Sequence, residues 1–249
     1  MRRFTITPER ISDDRVVFDA GETRHLARVL RLRPGDEVIA ADGRGHAYRV
    51  RIVTLGETAT GTIVGPAPAA EESGLAITLV QGVPKGVVME TVIRATTELG
   101  VSRILPALTA RTVVRRDSAA WRDRARRWQR IAQEATKQCG RARVPSVESP
   151  RPLSVWLDGD DEPDLRLCLW EGGGTPLRRL VDDLTRRPRG VSIVVGPEGG
   201  LTADEVSQAG SAGYTIVTLG HRILRTETAA VAAVALLQYT LGDLGGDTS

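Results

Sequence analysis

The sequence predicts an α/β protein in two parts. A small β-barrel occupies residues 1–70, and a larger domain with a mostly parallel sheet and helices on both faces occupies residues 74–249. Three observations predict this. Short β-prone runs separated by turn residues fill residues 1–64. Residues 65–74 lack periodicity and are punctuated by proline and glycine. From Leu75 onward strand-like and helix-like runs alternate, the pattern of a parallel sheet.

In the first part, residues 15–19, 37–41, 47–52 and 60–64 are β-prone. Pro34-Gly35-Asp36 and Asp42-Gly43-Arg44-Gly45 supply the turns. One helix is predicted over 22–30, with Leu26, Val29 and Leu30 on one side and Arg24, Arg28 and Arg31 elsewhere.

In the second part, strands are predicted at 76–81, 102–108, 166–170, 192–195 and 215–219. A helix over 84–99 ends at Gly100. It carries Glu90, Arg94 and Glu98 as a surface charge ladder. A long helix over 118–138 places Trp121, Ala125, Trp128, Ala132 and Ala135 on one face and Arg122, Arg126 and Arg130 on another. Thr202 and Glu205 form a capping box, with Leu201 and Val206 as its staple. The last helix covers 227–241.

Composition narrows the function. The chain is 41% hydrophobic and 26% charged, which suits a globular protein. Its longest apolar runs, 191–195 and 229–237, are too short to span a membrane. The N-terminus lacks the apolar core of a secretory signal. Cys139 and Cys168 are the only cysteines, so a reducing cytoplasm is expected. Three histidines at unrelated spacings predict no metal site. Net charge is only +3, but residues 111–143 alone carry +8 and the rest of the chain −5. A concentrated basic zone suits a polyanion, or else a solvated helix face. With 32 arginines against Lys85 and Lys137, part of the excess reflects general arginine usage.

Three segments carry the chemistry. In Gly196-Pro197-Glu198-Gly199-Gly200, a strand runs into a glycine-rich loop and then a capped helix. Such a loop lets backbone amides approach a ligand, and the helix start favours anions. It is neither the dinucleotide fingerprint nor a P-loop. In Leu219-Gly220-His221-Arg222-Ile223-Leu224-Arg225-Thr226-Glu227-Thr228-Ala229, Arg225 stands at a helix N-terminus. A cation there needs a partner: Glu227, Glu198 or a ligand phosphate. The small-residue helix that follows allows close approach by another helix or chain. In Gln81-Gly82-Val83-Pro84-Lys85-Gly86, Lys85 sits at the C-terminal edge of a strand, where ligands bind open sheets, or simply faces solvent.

Together these segments resemble the RsmE family, ribosomal RNA uridine-N3 methyltransferases of the SPOUT superfamily. Arg24-His25-Leu26, Val29-Leu30-Arg31 and Gly35-Asp36 are also similar to that family's PUA-like RNA-binding barrel. The resemblance spans nearly the whole chain. It implies a C-terminal α/β domain with a deep trefoil knot, a homodimer, and S-adenosylmethionine bent within the knot's loops. It further implies a substrate uridine in the decoding region of 16S ribosomal RNA in the small subunit.

By position, the cofactor residues would be Leu169, Trp170, Glu171 and Gly172, then Gly196, Pro197, Glu198, Gly199 and Gly200. Leu219, Gly220, Ile223, Leu224, Arg225, Thr226, Thr228 and Ala229 would complete them. Extra glycines in Trp170-Glu171-Gly172-Gly173-Gly174 depart from the family pattern. The segment Gln138-Cys139-Gly140-Arg141 stands where the family has a run near its substrate. Arg225 is the expected stabiliser of the uridine anion, and Glu198 the expected base or positioning group. Arg24, Arg28, Arg31, Lys85, Arg111, Arg115, Arg116, Arg126 and Arg141 would grip RNA. His25 would touch RNA or sit in the core. A non-catalytic RNA-binding assembly factor, or a SPOUT enzyme acting on another RNA, are the competing readings.

Overall fold

The computed structural model of the protein describes residues 2–114, 117–159 and 163–246. They divide into two compact units. One holds the residues up to Glu72 together with Gln133–Val144. The other holds Ser73–Ala132 and the residues from Pro145 onward.

In the first unit, β1 (Arg3–Thr5), β2 (Ile11–Ser12), β3 (Arg15–Val17), β4 (Glu37–Ala41), β5 (Ala47–Leu55) and β6 (Ala59–Pro66) form one sheet. Its order is β1-β4-β5-β6-β3-β2, and it curls into a half-barrel. Apolar runs explain the curl. Val38 and Ala40 of β4 face a core with Phe4, Val16, Phe18, Leu26, Val50 and Ile52. Ile39 and Ala41 on the opposite face meet Ala47 and Ala142. Being buried on both faces, β4 shows no alternation of apolar and polar residues.

The predicted helix over 22–30 starts earlier, as α1 (Ala20–Arg24), because Asp19 Oδ1 accepts the Glu22 N–H at 2.7 Å. It continues as a π-helical turn, His25–Val29. The predicted linker over 65–74 is not free chain. β6 runs to Pro66, the Ala67 N–H donates to the Ala47 carbonyl, and Ala70 bridges Arg141. Lys137, in the last turn of the long helix, is held by the carboxylates of Glu22 and Glu134. Burial pulls its ammonium pKa down, but the two carboxylates outweigh that and leave it above the ordinary lysine value.

The second unit comprises β7 (Ala76–Gly82), α2 (Val88–Glu98), β8 (Arg103–Leu108) and α3 (Ser118–Cys139), whose last residues belong to the first unit. There follow β9 (Ser146–Val147), β10 (Arg151–Pro152), α4 (Leu153–Leu157), β11 (Leu165–Leu169), β12 (Thr175–Pro176) and α5 (Leu177–Asp182). The chain ends through β13 (Gly190–Val195), α6 (Ala203–Ser211), β14 (Thr215–Thr218) and α7 (Thr226–Leu241). All strand pairs are parallel, in the order β10-β8-β7-β13-β11-β14-β12, with β9 also on β8.

Val80, Cys168 and Val194 face a core shared with Leu153, Leu157, Val206 and Tyr214, under α4 and α6. Their neighbours Leu79, Leu167 and Ile193 point to the opposite face, where α7 packs on β7, β13 and α2. The predicted apolar face of α3 is buried throughout, and Arg122, Arg126 and Arg130 are exposed. Helix α2 begins at Val88 instead of residue 84, because Gly86 takes φ +61° and breaks the run. Its charge ladder is not the pairing that forms: Glu90 pairs with Arg127 of α3 at 2.9 Å.

Candidate functional site

The site follows from strand register. Leu169, the last residue of β11, is paired with Val195 at the end of β13 and with Val217 of β14. Three loops distant in sequence therefore leave the sheet at the same level, at its C-terminal edge. Between them lies a cavity of about 600 Å³. Such a volume suits a nucleoside-sized ligand. Of the cofactor residues predicted from sequence, all but Gly199, Arg225 and Thr228 line it. Gly173, Gly174, His221 and Arg222, which lie in the segments quoted from the sequence, also line it, as do Pro176, Val195 and Thr218. The only sequence signal for the last three is that they flank those segments.

Each wall has a local cause. In the β11 loop, a β-carbon on Gly172 would stand 2.5 Å from the Trp170 ring. The additional glycines thus let the indole fold back over its own loop. In the β13 loop, the Gly200 N–H returns to the Pro197 carbonyl at 2.9 Å, and Gly200 takes φ +71°. In the β14 loop, Ile223 is 83% exposed yet lines the cavity. An apolar side chain left in water at a cavity mouth is suited to cover a ligand.

Behind the cavity lies a buried polar knot of hydrogen bonds. Gln81, fully buried at the end of β7, donates from Nε2 to the Gly82 carbonyl at 2.9 Å and to Thr226 Oγ1 at 2.9 Å. Thr226 Oγ1 in turn donates to the Gly196 carbonyl at 2.6 Å. These bonds tie β7, the β13 loop and the start of α7 together. Below, Cys168 is buried, and desolvation, with Glu205 and Glu171 adding to it, pushes its thiol pKa up to about 12. It is a packing residue and not a nucleophile.

The ionisable residues separate by geometry. Glu198 Oε1 accepts the Lys85 N–H at 2.8 Å, joining the β13 loop to the segment after β7. Arg225 is exposed, and its side chain makes no hydrogen bond or ion pair among the described residues. Neither Glu227 nor Glu198 is its partner. Arg111 is exposed and donates to the Gly199 carbonyl. Lys85 and Arg126 are exposed, Arg126 beside Asp123.

In the first unit, Arg24, Arg28 and Arg31 are exposed. So is His25, which lies edge-on to Phe4 at 5.7 Å instead of in the core. Arg141 departs from expectation. It is 5% exposed and its guanidinium is held by Glu72 at 2.6 Å, so it shapes the first unit and offers no surface for RNA. Arg115 and Arg116 lie outside the described residues. The start of α6 carries the predicted capping box. Glu205 Oε2 accepts the Thr202 N–H at 2.9 Å, Thr202 Oγ1 accepts the Glu205 N–H at 3.2 Å, and Glu205 Oε1 accepts the Ala110 N–H at 2.7 Å. The capping box thereby occupies the helix terminus with a carboxylate and removes it as an anion site. No group of acids, histidines and cysteines among the described residues could hold a metal ion. No helix among them is long and apolar enough to cross a membrane.

Comparison with known proteins places this geometry. A model of the RNA methyltransferase domain matches residues 71–238, and one of the RNA methyltransferase PUA domain matches residues 18–60. Ribosomal RNA small subunit methyltransferase E of Synechocystis sp. is 32% identical over 96% of this chain and 78% of its own. The Bacillus subtilis protein of the same name is 30% identical over 99% of this chain and 100% of its own. Among solved structures, ribosomal RNA small subunit methyltransferase E from Neisseria gonorrhoeae, bound to S-adenosylmethionine, superposes with a TM-score of 0.86. It is 36% identical over 98% of this chain and 99% of that one. A methyltransferase from Legionella pneumophila with bound S-adenosylmethionine gives a TM-score of 0.88 at 29% identity, over 97% of this chain and 98% of that one. The chain therefore belongs to the ribosomal RNA small subunit methyltransferase E family.

Proposed function

We propose that the protein methylates N3 of one uridine in the decoding region of 16S ribosomal RNA, with S-adenosylmethionine as donor. The observation that carries this reading is the cavity built from three loops at the sheet's C-terminal edge. Its glycines leave room for a purine ring, and Leu169, Leu219 and Ile223 suit the ring's faces. The residues fit the cofactor that the Neisseria relative holds. When bound, S-adenosylmethionine supplies an electrophilic methyl group on a positively charged sulfur.

The chain's own residues would do the rest. The three loops hold the donor in line with the acceptor and keep water from it. Uridine N3 bears a proton and is a poor nucleophile until that proton leaves. Exposed and unpaired, Arg225 is suited to stabilise the resulting anion or to orient its phosphate. Of the two roles expected for Glu198, its hydrogen bond to Lys85 supports positioning. Wild-type turnover by Glu198→Gln across pH would remove it as the base. Arg24, Arg28 and Arg31 in one unit, and Lys85, Arg111 and Arg126 in the other, would bind RNA backbone.

Leu236 and Tyr239, exposed on α7 beside half-buried Ala232 and Ala235, form an apolar stripe that supports a homodimer. The deep trefoil knot and the division at residues 70–74 belong to the same reading. The test is to incubate small subunits from a strain lacking this gene with the protein and labelled donor, then map the product by mass spectrometry. One 3-methyluridine near the decoding region is expected. A methyl group at another atom or in another RNA would overturn the reading.

A further inference from the structure

We propose that Glu171 makes the cavity prefer a positively charged sulfonium to a neutral thioether, so that the methyl donor is held and the spent product released. This rests on the reading of the cavity as the S-adenosylmethionine site. Glu171 belongs to the loop after β11, and it lines the cavity. Its carboxylate reaches across to the β13 loop and lies against Gly200, where an added β-carbon would collide with it. Two adjacent walls of the cavity thus meet at a negative charge.

That charge is uncommitted. Two neighbouring carboxylates are occupied: Glu198 accepts the Lys85 N–H, and Glu205 accepts the N–H groups of Ala110 and Thr202. Glu171 has no hydrogen bond or ion pair among the described residues. Its field also reaches the cavity floor, where it adds to the upward shift of the buried Cys168 thiol. His221, Arg222 and Glu198 are the other ionisable residues lining the space.

The two ligands that must be told apart are nearly isosteric. S-adenosylmethionine carries one more positive charge than S-adenosylhomocysteine, and only one methyl group more in bulk. A hydrophobic pocket discriminates a methyl group weakly, whereas a carboxylate responds directly to the charge. The α-ammonium is common to both ligands, so a carboxylate bound to it would not distinguish them.

Isothermal titration of the full chain with S-adenosylmethionine, S-adenosylhomocysteine and sinefungin, which has a protonated amine at the sulfonium position, decides the matter. The wild type should bind the two cations more tightly than the thioether. Glu171→Gln should weaken both cations about three- to tenfold, the range for a partly exposed charge pair, and shift the thioether less than about twofold. Glu171→Asp should retain part of the preference. Added salt should narrow it in the wild type and not in Glu171→Gln. Equal weakening of all three ligands, or of none, would overturn the proposal. Failure of wild-type protein to bind any of them would instead overturn the cofactor reading itself.

Discussion

Thr226→Val tests whether the buried polar knot behind the cavity holds the three loops in place. Valine keeps the shape of threonine and removes the hydroxyl. Two hydrogen bonds disappear, the 2.6 Å bond to the Gly196 carbonyl and the 2.9 Å bond from Gln81. Each buried neutral bond is worth about 1 kcal/mol net, and a partner left wholly unpaired costs about 1–3 kcal/mol. Here neither partner is wholly orphaned. The Gly196 carbonyl still has Gln81 Nε2 at 3.3 Å, and Gln81 still has the Gly82 carbonyl at 2.9 Å. The expected loss is therefore about 2 kcal/mol. At ~2–4 °C per kcal/mol for a domain of this size, the melting temperature should fall by about 4–8 °C. Thr226→Ser should recover most of it. Thermal unfolding followed by circular dichroism supplies the comparison, and titration with S-adenosylmethionine should show weaker binding, since Gly196 forms the cavity wall. A Gln81→Leu partner completes a double-mutant cycle, with an expected coupling of about 1 kcal/mol. If Thr226→Val melts within about 1 °C of wild type, or Thr226→Ser loses as much, these bonds do not brace the loops.

Buried and with its thiol pKa at about 12, Cys168 should resist thiol reagents in the native state: Cys139→Ser protein should take up none at neutral pH and one equivalent once denatured. Rapid native labelling would contradict the packing. Asp42 accepts hydrogen bonds from the Arg44 and His46 amides and from His46 Nδ1, which outweigh its desolvation and hold its carboxyl below the usual aspartate range. A depressed carboxylate stabilises the fold above its unfolded pKa and loses that contribution as pH falls through the folded value. Asp42→Asn should therefore cost about 1–2 kcal/mol at pH 7. Its difference from wild type should close below about pH 4, read by hydrogen exchange in β4 and β5. For RNA, the double variant Arg24→Ala/Arg28→Ala should weaken binding and reduce the slope of log K against log salt by about 1.4, at ~0.7 for each phosphate no longer neutralised. An unchanged slope would remove these arginines from the interface.

The sequence made the long elements readable because their burial is one-sided or complete. The spacing of Trp121, Ala125 and Trp128 marks α3, and the apolar run from Val191 to Val195 marks β13. Two-residue strands such as β9, β10 and β12 offer no period to read. Helices α4 and α5, five and six residues long, start directly after Pro152 and Pro176 and look like turns. The β13 and β14 loops stand out in the residues themselves and the β11 loop follows from the family resemblance, but their meeting was not legible. It depends on Leu169 pairing with both Val195 and Val217, a register set by tertiary packing. Arg141 misled for a similar reason. Its place in a basic run suggested surface, whereas its partner Glu72 lies far away in sequence. The capping box and the anion site were both inferred at Thr202, and only the geometry shows that one displaces the other.

The cavity's floor and rim obey opposite rules. At the floor, backbone must leave the sheet in irregular loops, and that strands the carbonyls of Gly82 and Gly196 away from any strand partner. Unpaired carbonyls in the interior are costly, so the core admits two polar side chains, Gln81 and Thr226, at positions where apolar residues would otherwise pack. This accounts for a glutamine and a threonine in the midst of Val80, Val83 and Ala230, all nearly inaccessible. At the rim, the segment from Gly220 to Arg225 carries exposed His221, Arg222, Ile223 and Arg225. Those side chains gain little from the protein itself. A rigid floor fixes where a ligand must lie, while the rim leaves its apolar and cationic groups unused until a ligand and a polyanion supply their partners. The same division explains why Glu198, which is bonded to the backbone, reads as scaffold and Arg225, which is not, reads as chemistry.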